Sequence, residues 1–287
     1  LPEWAAGAHI DVVVSPEFLR QYSLAGDPAD RSKYVLGVLR EDEGRGGSKL
    51  MHRIFSEGRR VFISKPINHF PIMDNPGSKS WLMGGGIGVT PMIAMAHELY
   101  AQGRDFALHY SVSKRETAGF WELLSDVPWA DRVQVHVSAE GSRADLSALL
   151  SNPSAGDHVY CCGPDAYMQS VMAAAEAGGF PAEARHLEYF AVPEMPEYEN
   201  HPFELELKDG RVLPVAEDQN AAAVLQDAGF KIDIKCSDGI CGVCKCRVLE
   251  GEVEHRDFVL SGKQRETSFI SCQSRAVEPG GRVKIDL

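Results

Sequence analysis

The chain has 287 residues, 44% of them hydrophobic and 24% charged, with 29 basic against 41 acidic side chains and a formal net charge of -12. That length suits two or three domains, each able to bury its own core. The acidic balance is repelled by phosphate backbones and argues against a nucleic-acid partner, and no apolar run reaches the roughly 18 to 20 residues of a membrane span.

The first residues, Leu1-Pro2-Glu3-Trp4, lack the basic start and apolar core of a secretory signal. The chain opens inside a strand with no initiator Met, so a further N-terminal segment is expected ahead of it. His9–Val14, Tyr34–Leu39 and Val61–Ser64 are β-branched, apolar runs bounded by Gly, Pro, Asp and Ser, and predict strands of a small antiparallel barrel. Between them, Gly44-Arg45-Gly46-Gly47-Ser48 precedes a predicted helix, Lys49–Phe55. The pattern then changes to strand-helix alternation. Strands are predicted at Trp81–Met83, Phe106–Tyr110, Val133–Val137 and His158–Cys162. The intervening helices are placed at Thr90 to about Gln102, Gly119–Leu124, Asp145–Leu150 and Pro164–Ala177. Such alternation implies a parallel sheet with helices on both faces. Val192–Asn200, polar and carrying two prolines, reads as a linker. Phe203–Leu207 and Val212–Val215, joined through Asp209-Gly210, predict a hairpin, and Ala221–Ala228 a helix.

Four of the seven cysteines carry the sharpest signal. Four residues separate Cys236 from Cys241, two separate Cys241 from Cys244, and 27 more precede Cys272. This is plant-type spacing for a 2Fe-2S cluster, in which one loop and one later return bring four thiolates together. A structural zinc site is the rival, but zinc frameworks favour two short paired spacings. Clustering of this kind also points to a reducing, cytoplasmic setting. Cys246 is read as a buried small hydrophobe, with an adventitious ligand as the alternative.

Two glycine clusters suit phosphates. Gly44, Arg45, Gly46, Gly47 and Ser48 feed a helix N-terminus, where backbone N–H groups and the helix dipole favour an anion; a flexible turn with Ser48 as N-cap is the plainer reading. Gly84-Gly85-Gly86-Ile87-Gly88-Val89-Thr90-Pro91 stands between a strand and a helix, as a pyrophosphate loop does, although Val89 occupies the last glycine position of the dinucleotide fingerprint. At the next strand end, Ser113 and Arg115 are candidates to meet a 2'-phosphate, or else solvated loop residues. His52, His69, His97, His109 and His136 show no ligand spacing and are read as structural or exposed.

The run from Cys236 to Lys245, followed by Leu249-Glu250-Gly251-Glu252-Val253-Glu254-His255-Arg256-Asp257, resembles the ferredoxin domain of the phthalate dioxygenase reductase family, within the ferredoxin-NAD(P) reductase superfamily. The resemblance covers nearly the whole chain. It implies that Arg20-Gln21-Tyr22-Ser23-Leu24 holds a flavin. Arg20 would neutralise the phosphate, Tyr22 lie on the ring face and Ser23 stand near N5. It makes Gly85, Gly86, Gly88, Thr90 and Pro91 the pyridine-dinucleotide loop, and Cys161-Cys162-Gly163-Pro164 the motif whose Cys162 lies near the nicotinamide. Phe190, or Tyr189, would shield the flavin.

The expected architecture is therefore multi-domain α/β. A flavin-binding β-barrel, incomplete at its N-terminus, spans residues 1–73 and a Rossmann-like NAD(P)H domain spans 74–190. A linker at 191–201 leads to a β-grasp ferredoxin domain at 202–287. The resemblance implies FMN rather than FAD, NADH rather than NADPH, and a monomeric reductase passing electrons to a Rieske-type oxygenase. Ser23 and Cys162 would stand at the reacting centre. The rivals are a reductase for another acceptor and an electron carrier with a degenerate flavin site.

Overall fold

The computed structural model describes residues 1–75, 77–191, 198–260 and 262–287, which divide into two compact units, Leu1–Glu188 and Tyr189–Leu287. Most of the expected linker, residues 192–197, lies outside the described residues.

The first unit begins with an antiparallel sheet. β1 (Ala8–Ser15) is flanked by β2 (Phe18–Ser23) on one side and by β3 (Phe62–Ile63) and β4 (Ile67–Asn68) on the other. Strand alternation sends Ala8, Ile10, Val12 and Val14 to one face, where they are buried with Leu24 and with Met51 of helix α1 (Gly47–Ile54). Each such side chain contributes roughly 1.5 to 3 kcal/mol by leaving water. The predicted strand Tyr34–Leu39 does not form: only Leu36 pairs, through a bridge to Leu24. Its middle residue is glycine, and Gly37 packs so closely on Thr90, Ile87 and Phe120 that a Cβ would lie 2.6 Å from Thr90 Cγ2. Seating on the nucleotide loop replaces strand pairing there.

The rest of the unit is a five-stranded parallel sheet in the order β7-β6-β5-β8-β9, from β5 (Lys79–Gly85), β6 (Asp105–Val112), β7 (Val133–Val137), β8 (His158–Cys162) and β9 (Arg185–Glu188). Helices α2 (Val89–Ala101), α3 (Trp121–Ser125), α4 (Leu146–Leu149) and α5 (Asp165–Gly178) join them. α2 runs unbroken past His97 and Glu98 and is buried from Val89 through Ala96, against Leu82, Leu108, Tyr110 and Tyr160. The chain lays β5, β6 and β7 in one direction, then returns to place β8 on the other side of β5. The sheet's switch point, where ligands of open α/β sheets bind, thus falls between the carboxyl ends of β5 and β8.

The second unit is a mixed sheet in the order β11-β10-β16-β12-β14, built from β10 (Phe203–Leu207), β11 (Val212–Val215), β12 (Lys245–Glu250), β14 (Ser268–Ile270) and β16 (Arg282–Ile285). A small ladder pairs β13 (Val253–Glu254) with β15 (Arg275–Ala276), and helices α6 (Ala221–Asp227) and α7 (Gly262–Arg265) complete the unit. The first strand and the last, β10 and β16, pair in parallel at the centre, as in a β-grasp. Cys246 is buried among Phe203, Leu205, Phe269 and Val283, and so belongs to the core.

Candidate functional site

The expected flavin residues gather at the start of α1. That helix begins at Gly47, two residues before the predicted start, and its N-cap is Gly46, held at φ 88° with no side-chain cap. Ser48 is not the cap: it lies inside the first turn, where its Oγ accepts the Glu41 backbone N–H at 3.1 Å. The first backbone N–H groups of the helix are left without a side-chain partner, which is the anion-binding condition of a helix N-terminus. Arg20 completes it. A Cβ on Gly47 would lie 2.6 Å from Arg20 Nε and 2.9 Å from Cζ, so glycine is what lets the guanidinium rest on this turn. Gly44 and Arg45 stand in the exposed loop leading in. Tyr22 is half-buried against the sheet core, and burial raises its hydroxyl pKa. Leu24 is fully buried and its amide bonds to Ala8, so its side chain serves the core.

At the switch point, Gly84 of β5 stands opposite Cys162 of β8 in the parallel register. The loop through Gly85, Gly86 and Gly88 and the turn at Gly163 and Pro164 therefore leave the sheet side by side. A Cβ on Gly88 would strike the Cys162 carbonyl, and one on Gly163 would lie 2.9 Å from Gly85 Cα. Thr90 is buried and donates its hydroxyl to Ile87 O at 3.0 Å, tightening the loop into α2, where Pro91 is also buried. These two residues shape the loop from behind.

Ser23 and Cys162 are drawn together by a residue to which the sequence assigned no role of its own. Glu188, at the end of β9 beside β8, accepts a hydrogen bond from Ser23 Oγ at 3.2 Å, and it pairs with Cys162 in the β8–β9 register. Burial pushes the Glu188 carboxyl up to about 8, with the Ser23 hydrogen bond opposing the shift. Burial and then the Glu188 charge raise the Cys162 thiol well above its ordinary value, so it is a neutral thiol. Cys161 is buried on the opposite face of the strand. A hydroxyl, a protonated carboxyl and a thiol thus converge beside the nucleotide loop. No sequence signal joins Ser23 to a glutamate 165 residues away.

Ser113 and Arg115 leave the end of β6, but Arg115 is not free. Its Nε and Nη2 both donate to the carboxylate of Glu140, each at 3.0 Å. Of the two aromatic candidates, Tyr189 packs on Phe258, ring centroids 5.0 Å apart, while Phe190 is 42% exposed.

The four cysteines converge in the second unit. Cys236 Sγ lies 3.1 Å from Cys241 Sγ and accepts the Asp238 N–H at 3.3 Å. Hydrogen bonds from the Cys241 and Cys272 thiols lower the Cys236 pKa, and the same contacts raise those of Cys241 and Cys272. Cys241, Cys244 and Cys272 are buried and Cys236 partly exposed. Tetrahedral metal–sulfur bonds of about 2.3 Å would hold sulfurs about 3.8 Å apart, so these thiols touch more closely than ligands do. Among the described residues no group of three ligating side chains encloses a metal-sized space. The donor set is nonetheless all sulfur, and the loop turns its amides toward it, as a 2Fe-2S cluster requires.

Comparison with known proteins agrees with this arrangement. Residues 205–277 match the 2Fe-2S iron-sulfur cluster binding domain. Vanillate O-demethylase oxidoreductase of Pseudomonas sp. (strain HR199 / DSM 7063) is 40% identical over 281 residues, covering 96% of this chain and 88% of that protein. The solved structure of phthalate dioxygenase reductase, described as modular for electron transfer from pyridine nucleotides to [2Fe-2S], covers 100% of this chain and 89% of its own at 34% identity and a TM-score of 0.68. An intact type IV self-sufficient cytochrome P450 monooxygenase superposes with a TM-score of 0.90 at 36% identity; all of this chain matches, but it spans only 37% of that longer one. At 34 to 40% identity over nearly its whole length, the chain belongs to the oxidoreductase family that includes vanillate O-demethylase oxidoreductase and phthalate dioxygenase reductase.

Proposed function

We propose that the chain takes electrons from NADH through FMN to a 2Fe-2S cluster and delivers them to a Rieske-type oxygenase, acting as a monomer. The observation that carries this reading is the meeting of Ser23, Glu188 and Cys162 beside the Gly85–Gly88 loop, where a nicotinamide and a flavin ring must touch. Flavin, when bound, accepts a hydride as an electron pair and releases the electrons singly, which is the conversion a one-electron cluster needs.

The chain's own residues bind and orient. Arg20 and the Gly46–Gly47 turn would hold the flavin phosphate. Tyr22 would support the ring face. Gly85, Gly86, Gly88, Gly163 and Pro164 admit the pyrophosphate and nicotinamide. Ser23 holds a hydrogen bond at the hydride-accepting atom, Glu188 keeps a proton behind Ser23, and Cys162 presents an uncharged thiol to the nicotinamide. Cys236, Cys241, Cys244 and Cys272 would ligate the cluster.

The full superposition on a self-sufficient P450 favours a second acceptor, a haem-iron oxygenase, and reconstitution with each class separates the two. The first test is an anaerobic NADH titration followed by visible absorption, with the released flavin identified by chromatography. Bleaching of both flavin and cluster bands, with FMN released, is expected. Bleaching of the flavin alone would uncouple the cysteine site, and FAD in the extract would refute the FMN assignment. Arg20→Ala should lower flavin occupancy; unchanged occupancy would remove Arg20 from the cradle.

A further inference from the structure

We infer that Glu140 sets the choice between NADH and NADPH by holding Arg115 away from a 2'-phosphate. The inference deepens the NADH reading above and rests on it.

In a dinucleotide-binding sheet, the strand next to the glycine-loop strand ends where the adenosine ribose lies. An acidic residue there suits a 2'-hydroxyl, and a nearby arginine suits a 2'-phosphate. Here the glycine loop follows β5, and β6 is its neighbour. Arg115 opens a short 3-10 turn, Arg115–Thr117, just beyond β6. Glu140 closes a second such turn, Ser138–Glu140, just beyond β7. The two turns leave the same sheet edge side by side, because Val112 and Val137 are register partners and Ala139 donates its N–H to Ser113 O at 3.0 Å.

That backbone link fixes the side chains opposite each other. The Arg115 fork is spent on both Glu140 oxygens at 3.0 Å, and its Cζ lies 4.3 Å from the centre of the Trp121 ring. Edge and face of the guanidinium are therefore both occupied. With Nε and Nη2 taken, a phosphate is left only the Nη1–Nη2 end, and would meet the Glu140 charge beside it. Glu140 thus engages the Arg115 fork and adds a negative charge where a 2'-phosphate would come. An exposed ion pair is individually weak, which makes the device adjustable: one substitution releases the arginine without disturbing the fold. Lys114, Glu116 and Arg143 stand on the same turns, but none offers a fork fixed in this way.

The test is Glu140→Gln in the full chain carrying its flavin and cluster. The readouts are equilibrium binding of NADP+ and NAD+ by titration and the KM for NADPH and NADH. Release of Arg115 should raise the affinity for NADP+ relative to NAD+ roughly tenfold or more, the scale of one charge-assisted phosphate contact. The double variant Arg115→Ala with Glu140→Gln should lose the gain. Unchanged NADP+ binding in Glu140→Gln would overturn the inference. So would a gain that persists in the double variant, since charge repulsion alone would then explain it. A wild-type chain that already prefers NADP+ would refute the NADH reading instead, and the ratio of variant to wild type still reports on Glu140 separately.

Discussion

Glu188 shows how a single half-buried group ties chemistry to stability. Its carboxyl is raised from 4.5 to about 8, first by burial, so the folded chain favours the protonated form. A raised pKa contributes stability that is fully present below pH 4.5 and is lost as pH rises through about 8. Glu188→Gln keeps the shape and removes the charge. The variant's melting temperature is expected to stay nearly flat from pH 5 to 9 while the wild type declines, the gap being on the order of 1 to 3 kcal/mol at the alkaline end. Parallel curves would show that the carboxyl ionises in the folded chain as it does in the unfolded one, and that the site does not raise it. Ser23→Ala should slow flavin reduction by NADH about 100-fold, the low end of the share usual for a positioned proton donor. Ser23 and the four cysteines could be singled out because each stands in a short motif of fixed spacing. The partners of Ser23 and Arg115 could not, since Glu188 and Glu140 reach them only after the sheet is assembled. Arg115, read as a candidate for a 2'-phosphate, proves to be engaged by a carboxylate that no local pattern announced.

Strands and helices were read most securely where burial decides them. β8 was placed to the residue, and the start of α2 to within one. Where local chemistry competes with pairing, the reading failed: Gly37 turned an apolar run away from strand geometry, and α1 began on glycines whose freedom at positive φ replaces a side-chain cap. The parallel sheet also carries two histidine pairs that spacing could not reveal. His109 and His136 meet on one face of β6 and β7 at 3.1 Å, with Trp81 stacked on His109. His158 and His186 meet across β8 and β9 at 2.9 Å, with Tyr160 stacked on His186. Each pair shares one hydrogen bond only while at least one ring stays neutral. Burial first, and then the paired ring, lower His109 and His186 from 6.5 to about 4. A lowered histidine contributes stability that is present above pH 6.5 and is lost as pH falls through about 4. Each is worth at most about 3 kcal/mol at about 1.4 kcal/mol per pH unit. Acid titration by circular dichroism should therefore show the sheet failing between these pH values. His186→Phe, which keeps the stack on Tyr160 and cannot be protonated, should move that midpoint to lower pH; an unmoved midpoint would place the acid sensitivity elsewhere.

At the scale of the whole molecule, two units with separate cores divide the work. Ser23, Glu188, Cys162 and the glycine loops lie in Leu1–Glu188 and the four cluster cysteines in Tyr189–Leu287. The proline-bearing stretch expected as the linker lies largely outside the described residues, and the expected domains 1–73 and 74–190 fall in one unit as far as Glu188, sharing a core through Ala6 and Phe70 against α2. That union needs side chains from both modules, and no single segment displays it. A consequence follows for cluster loss. Cys272 belongs to a core cluster with Cys244, Ile270, Leu260 and Ala222, none of which lies in the first unit. Cys272→Ala should therefore remove the cluster without touching the flavin cradle or the dinucleotide loop. NADH-dependent reduction of ferricyanide, which can draw electrons from flavin directly, is expected to stay within about twofold of wild type, while delivery to cytochrome c falls by about a hundredfold or more, because the cofactor that carries single electrons is gone. Equal loss of both activities would mean that the cluster unit holds up the flavin site and that the two cores are not independent. Equal retention would mean that electrons leave from the flavin, and that the cysteine loop serves some purpose other than passing them on.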